Sequence, residues 1–187
     1  PYWNVPRSIT MKELIPKLLR DSSYLAQHDM ELVPVGGGAT SRQINTATLD
    51  GLRSGKYRLR QRPGPQNALG AVKFIFPNAH DVYLHSTPET SLFARARRDL
   101  SHGCIRVEQP VALAQFALGD TPEWSVSNIE AAMAPGPTRR VDLPAVVPVV
   151  LFYATAVTDS EGRALFARDV YGRDPVLEQA LAGQGST

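Results

Sequence analysis

The 187 residues predict a mainly-β domain with helical additions. Three observations carry that expectation. Short β-branched or aromatic runs, Tyr57 to Gln61, Ala71 to Phe76 and Asp81 to His85, are split by Pro, Gly and Asn, which is how strands bounded by turns read. Helical patterns are few and short. Apolar residues make up 43% of the chain, enough for a core, and no internal repeat or low-complexity segment interrupts it.

The elements follow in order. Thr10-Met11-Lys12-Glu13 reads as a capping box, with a hydroxyl and a carboxylate satisfying free N–H groups. A helix is expected from there to about Arg20, bent at Pro16. Residues 24 to 58 are less regular. Gly36-Gly37-Gly38 is a flexible turn, without the Lys-Ser/Thr sequel of a phosphate-binding loop, and Thr46 to Leu52 can form a short helix. Weak hydrophobic periodicity there predicts few buried contacts and low local stability. After the three strands, Phe93 to Leu100 is a short helix or turn. Glu108 to Leu118 is a helix with Val111, Leu113, Ala114 and Ala117 on its apolar face, ended by Gly119. Ser127-Asn128-Ile129-Glu130 caps another helix to about Ala134. Arg140 to Leu143 and Val147 to Thr158 read as strands, and Asp159-Ser160-Glu161-Gly162 turns back into Ala164 to Ala167. Asp174-Pro175 opens a last helix, with Pro in its first turn. Trp3 and Trp124 read as core residues.

Length allows one domain, or one domain with a subdomain. A net charge of +2 and charged residues at 20% argue against a dedicated nucleic-acid binder, which would show a clustered basic face. Arg58, Arg60 and Arg62, and Arg95, Arg97 and Arg98, form small clusters that read as solvated faces. A functional reading is attraction for carboxylates on an anionic polymer. The longest apolar stretch, Ala145 to Val157, is too short for a membrane span and is broken by Pro148. No secretory signal is present. Pro1 in place of Met points to a fragment of a longer protein.

The chemistry concentrates at Ser101-His102-Gly103-Cys104. Cys104 is the single cysteine, so it has no partner for an internal disulfide. A thiol attacks as thiolate, and a nearby imidazole is the usual means of taking its proton. Two histidines compete for that task. His102 is two residues away. His85 lies 19 positions upstream, at the end of the run Val82-Tyr83-Leu84, where a rigid strand end can hold an imidazole within reach of the thiol. Gly103 permits an unusual backbone angle or close substrate approach. Backbone N–H groups of Gly103 and Cys104, and one near Tyr83, are candidates to stabilise an oxyanion. The Arg106 guanidinium can hold a carboxylate by two hydrogen bonds, or can pair with Glu108 or Asp99. Tyr83, Asn67, Ser101 and His102 are further candidate pocket residues. A zinc site from His85, His102 and Cys104 lacks a second Cys or a close carboxylate, so no metal is expected.

His85, fifteen residues, and then Ser101-His102-Gly103-Cys104-Ile105-Arg106-Val107 together resemble the signature of the L,D-transpeptidases, the YkuD-type catalytic domains. The segments from Leu59 to Gly70, Val72 to Asn78 and Tyr83 to Pro88, with the opening Pro1 to Ser8, are similar to the larger, periplasmic Gram-negative branch. The resemblance covers roughly Pro1 to Leu181. It implies a β-sandwich-like core spanning residues 1–187, with about residues 24–58 inserted as a mobile capping subdomain. It implies Cys104 as nucleophile and His85 rather than His102 as base, oriented by a backbone carbonyl at Ser86. Ser86 also enters the candidate substrate-binding set. The implied reaction is peptidoglycan transpeptidation through a cysteine thioester, with a tetrapeptide donor and a diaminopimelate amine acceptor, giving 3-3 crosslinks. No cofactor is implied. A carbapenem adduct at Cys104 and a periplasmic location are expected on the same ground. The alternatives are a Cys-His peptidoglycan hydrolase, with water as acceptor, and a non-catalytic wall-binding module.

Overall fold

Pro16 lacks the N–H that a regular helix would use at that point. The computed structural model, which describes residues 1–184, shows how the chain accommodates it. Strand β1 (Trp3–Asn4) leads into helix α1 (Arg7–Ile9), a π-widened stretch Thr10–Leu14, and α2 (Ile15–Arg20). The Ile15 N–H reaches back five residues to the Thr10 carbonyl, and this wider turn absorbs the proline ring. The expected capping box at Thr10 does not form. Pro6, at ψ 144°, brings the chain into the helix in extended geometry, so the first turn starts at Arg7. Thr10 is therefore already helical, and its hydroxyl donates to the Pro6 carbonyl at 3.2 Å.

The chain continues through α3 (Tyr24–Gln27), β2 (Met30–Pro34), α4 (Thr46–Ser54) and β3 (Tyr57–Gln61). A capping box does form at α4, where Asn45 and Thr48 exchange side-chain and backbone hydrogen bonds of 2.9 Å. The first sheet is antiparallel, in the order β1-β3-β2. Its core gathers Ile9, Leu14, Ile15 and Leu18 with Leu25, Met30, Leu32, Leu49, Leu52 and Leu59. The expectation of few buried contacts over residues 24–58 is thereby corrected. Leu25, Leu32 and Leu59 are wholly buried, each contributing roughly 1.5–3 kcal/mol from apolar burial. Periodicity hid this because Met30, Glu31 and Leu32 are buried in succession. Glu31 tolerates burial through hydrogen bonds of 2.6 and 2.8 Å from Arg60. The stretch 35–40 beyond β2 is exposed throughout.

A second sheet takes the order β4-β5-β6, from β4 (Lys73–Phe74), β5 (Leu84–His85) and β6 (Ile105–Arg106). β5 is antiparallel to β4 and parallel to β6. A 3-10 turn, Thr90–Ala94, lies in the connection to β6. Helices α5 (Pro110–Leu118) and α6 (Val126–Met133) follow, with Ala114, Leu118 and Ile129 forming a second cluster against Phe74, Val111, Trp124 and Met133. Gly119, at φ +82°, ends α5. The cap of α6 is Ser125, not Ser127; its hydroxyl accepts the Asn128 N–H at 3.4 Å.

These elements belong to one compact unit, Pro1–Val147; the second is Pro148–Thr187. In the second, β7 (Ala156–Thr158) and β8 (Ala164–Phe166) form an antiparallel hairpin. Asp159 closes its turn by accepting the N–H groups of Glu161 and Arg163, each at 2.9 Å. Helix α7 spans Asp174–Gln184. The long strand expected over Val147 to Thr158 is reduced to three residues, and Arg140 to Leu143 forms none. Pro144 and Pro148 supply no ladder N–H, and a strand needs a partner. Helical residues outnumber strand residues among those described, so the mainly-β expectation is corrected to a fold of small sheets with several helices. Among the described residues, no helix is long and apolar enough to cross a membrane.

Candidate active site

His85 ends β5 and is buried. Its Nδ1 lies 2.6 Å from the backbone carbonyl of Ser86. A carbonyl only accepts, so Nδ1 carries the proton and Nε2 is the free basic nitrogen of the neutral ring. Burial holds the imidazole below its usual range. The Ser86 carbonyl opposes that effect, and the Arg106 charge adds to it.

The strand end is held by its neighbours. The Ser86 N–H donates to the Val72 carbonyl at 2.9 Å. Its hydroxyl donates to the Leu69 carbonyl at 3.2 Å and accepts from the Val72 N–H at 3.1 Å. Gly70 packs directly beneath, at φ +59°, where a Cβ would come within 2.3 Å of that hydroxyl. The Ser86 hydroxyl thus spends both its hydrogen bonds on backbone. The Asn67 side chain is likewise bonded to backbone. It is 1% exposed, and it bonds the Arg62 carbonyl and the Leu69 N–H, each at 2.8 Å. A short polar side chain that can bond backbone on both sides is drawn into such a turn.

Cys104 stands one residue before β6. The parallel register pairs Leu84 with Ile105 and His85 with Arg106. The Ile105 N–H donates to the Tyr83 carbonyl at 3.1 Å and the Val107 N–H to the His85 carbonyl at 2.8 Å. One step back along this register, Cys104 faces Tyr83. Alternation then sets Tyr83, His85, Cys104 and Arg106 on one face of the sheet. The side chains agree. The Tyr83 ring packs edge-on to His85, centroids 5.9 Å apart. The Tyr83 hydroxyl interacts with the Cys104 thiol; burial, and then the charge of the thiol, push its pKa well up. Lys73 lies 5.5 Å over the Tyr83 ring.

The other candidates are placed differently. Gly103 has φ +133°, with no atom within 4 Å of where a Cβ would stand, so it is the backbone angle and not crowding that calls for glycine. Its N–H donates to the Ser101 hydroxyl at 3.3 Å, which closes the turn into Cys104. His102 is exposed, and its Nε2 lies 2.6 Å from Glu13 Oε1. Arg106 donates to the Leu100 carbonyl at 3.0 Å and lies 3.6 Å from Glu89. Asp99, one of its expected partners, is engaged by Arg97. Neither Glu13 nor Glu89 was legible as a site neighbour, because nothing in sequence links positions so far apart. Among the described residues, no group of three His, Cys, Asp or Glu side chains is placed to hold a metal. The concavity of the first unit beside Trp124 and Arg139 is lined by neither Cys104 nor His85. The convergence of reactive side chains therefore marks the site, not depth.

Residues 1–143 match the family of L,D-transpeptidase catalytic domains, YkuD. The chain belongs to the YkuD L,D-transpeptidase family. It is also similar to a protein of Haemophilus influenzae named "Putative L,D-transpeptidase", 33% identical over 181 residues. That similarity covers 96% of this chain and 36% of the relative, so the chain spans about a third of the length of the relative it matches. Every candidate residue of the YkuD site, from Asn67 to Arg106, falls within the matched span and within the first unit.

Proposed function

We propose that the protein is a peptidoglycan L,D-transpeptidase acting through a thioester at Cys104. The observation that carries this reading is the parallel pairing of β5 with β6, which sets His85, Tyr83 and Cys104 on one face. His85, oriented by the Ser86 carbonyl, takes the thiol proton through Nε2. The thiolate attacks the carbonyl of the third residue of a tetrapeptide stem. The backbone N–H of Cys104 is the candidate donor to the developing oxyanion, since the Gly103 N–H is taken by the Ser101 hydroxyl, and the terminal D-alanine leaves with a proton returned by His85. An amine of a neighbouring diaminopimelate then attacks the thioester, giving a 3-3 crosslink and freeing the thiol. Arg106 stands on the same face and supplies positive charge for a stem carboxylate. A periplasmic location follows from this substrate.

The capping role is proposed for the exposed loop between β2 and α4, since β2 and α4 on either side of it contribute Met30, Leu32, Leu49 and Leu52 to the core. Closed over the donor, it excludes water and favours the amine acceptor.

Mass spectrometry tests both readings. Incubation with a carbapenem is expected to add one equivalent to Cys104, and a tetrapeptide stem plus an acceptor amine to give the crosslinked product. Absence of any thiol adduct would leave a non-catalytic wall-binding module, and release of free tripeptide in place of crosslinks would leave a hydrolase. Replacing residues 35–40 with a Gly-Ser linker is expected to leave carbapenem acylation intact and to raise the ratio of hydrolysis to transfer. An unchanged ratio would remove the loop from the mechanism.

A further inference from the structure

The turn that presents Cys104 is tied to a distant part of the first unit by one side-chain pair. Glu13 lies on the π-widened stretch, next to Leu14 and Ile15, which are both buried in the first core. Its carboxylate meets the His102 imidazole at 2.6 Å. His102 is followed at once by Gly103, whose φ of +133° belongs to a backbone with few restraints of its own. No atom lies within 4 Å of the position a Gly103 Cβ would take, so packing does not hold this turn. The local bond within it, from the Gly103 N–H to the Ser101 hydroxyl, is long at 3.3 Å. The register of β6 fixes the chain only from Ile105 onward.

We infer that Glu13 is a positioning residue, which holds His102 and thereby fixes the Ser101–Cys104 turn so that the thiol meets the face of β5. The inference rests on the proposed role of Cys104 as nucleophile. It assigns His102 a tethering task in place of general base or substrate contact. Glu13 stays partly exposed while Leu14 and Ile15 beside it are buried. Both side chains are substantially exposed, at 40% for Glu13 and 60% for His102. An exposed pair contributes little to global stability. Its effect is therefore local, on the order of the turn and the reach of the thiol.

The test uses Glu13→Gln, His102→Gln and the double variant, each checked for an unchanged melting temperature. Amide hydrogen exchange at Ser101 to Cys104 is expected to quicken in both single variants and to go no further in the double. Carbapenem acylation of Cys104 is expected to slow by about two- to fivefold in each single variant and by no more in the double, the scale of an exposed pair. Glu13→Asp should restore part of the rate. Unchanged exchange in Glu13→Gln would overturn the tether. Faster exchange with an unchanged acylation rate would overturn its positioning role, as would effects that multiply in the double variant. A wild-type protein that takes no carbapenem would instead defeat the transpeptidase reading, and the exchange data alone would then decide whether the tether exists.

Discussion

Cys104→Ser is expected to abolish acylation by a carbapenem and crosslinking of stem peptides, while the fold persists. The nucleophile is the thiolate, and a serine hydroxyl is far less acidic than a thiol, so the same imidazole does not activate it. The chain holds no second cysteine to take over. The change is conservative in shape: Cys104 is half-buried, forms no disulfide, and exchanges sulfur for a smaller oxygen beside the Tyr83 hydroxyl. A melting temperature close to wild type, with no adduct in the mass spectrum, is the expected result. Crosslinking near the wild-type rate would move the nucleophile elsewhere.

His85→Ala is expected to slow acylation by about 10²–10⁴-fold, the usual cost of losing a general base. His102→Ala is expected to cost several-fold at most, because His102 is engaged with Glu13 and not with the thiol face. Stopped-flow acylation of the two variants decides between them, and a larger loss at His102 would reverse the assignment. The pH profile gives a second readout. Burial holds the His85 pKa below its ordinary value of 6.5, so Nε2 is free to accept a proton already in mildly acidic solution. The rate is expected to rise with pH through a midpoint below 6.5, and this limb should vanish in His85→Ala. The same shift bears on stability. A histidine whose folded pKa lies below its unfolded value favours the folded state above the unfolded value. That contribution is lost as pH falls through about 6.5 toward the folded pKa, since the unfolded chain then binds the proton more readily. Acid titration of the melting temperature should show less of this loss in His85→Ala.

Family membership was legible in the sequence, because it resides in residue types at set spacings: His85, Ser101 to Val107, and the segments before them. Local elements were legible where local chemistry governs them. Gly119 stops α5, Asp174-Pro175 opens α7, and the Asp159 turn joins β7 to β8. These are decisions of a few neighbouring residues, in which one backbone angle or one missing N–H dominates. The extent of strands was not legible in that way. The runs around Ala71 to Phe76 and Asp81 to His85 were recognisable, but only two residues of each find a paired neighbour. The core role of residues 24–58 was hidden as well, since burial of Glu31 depends on Arg60, a residue of the adjacent strand. At the site, sequence named Cys104, His85, Tyr83 and Arg106, and only the parallel register of β5 and β6 decided that they share a face. Tertiary structure likewise withdrew Ser86 and Asn67 into backbone bonding and brought Glu13 to His102. The physical reason is common to all of these. A side chain's task is set by the partner it meets in space, and the sequence around it specifies the residue but not the partner.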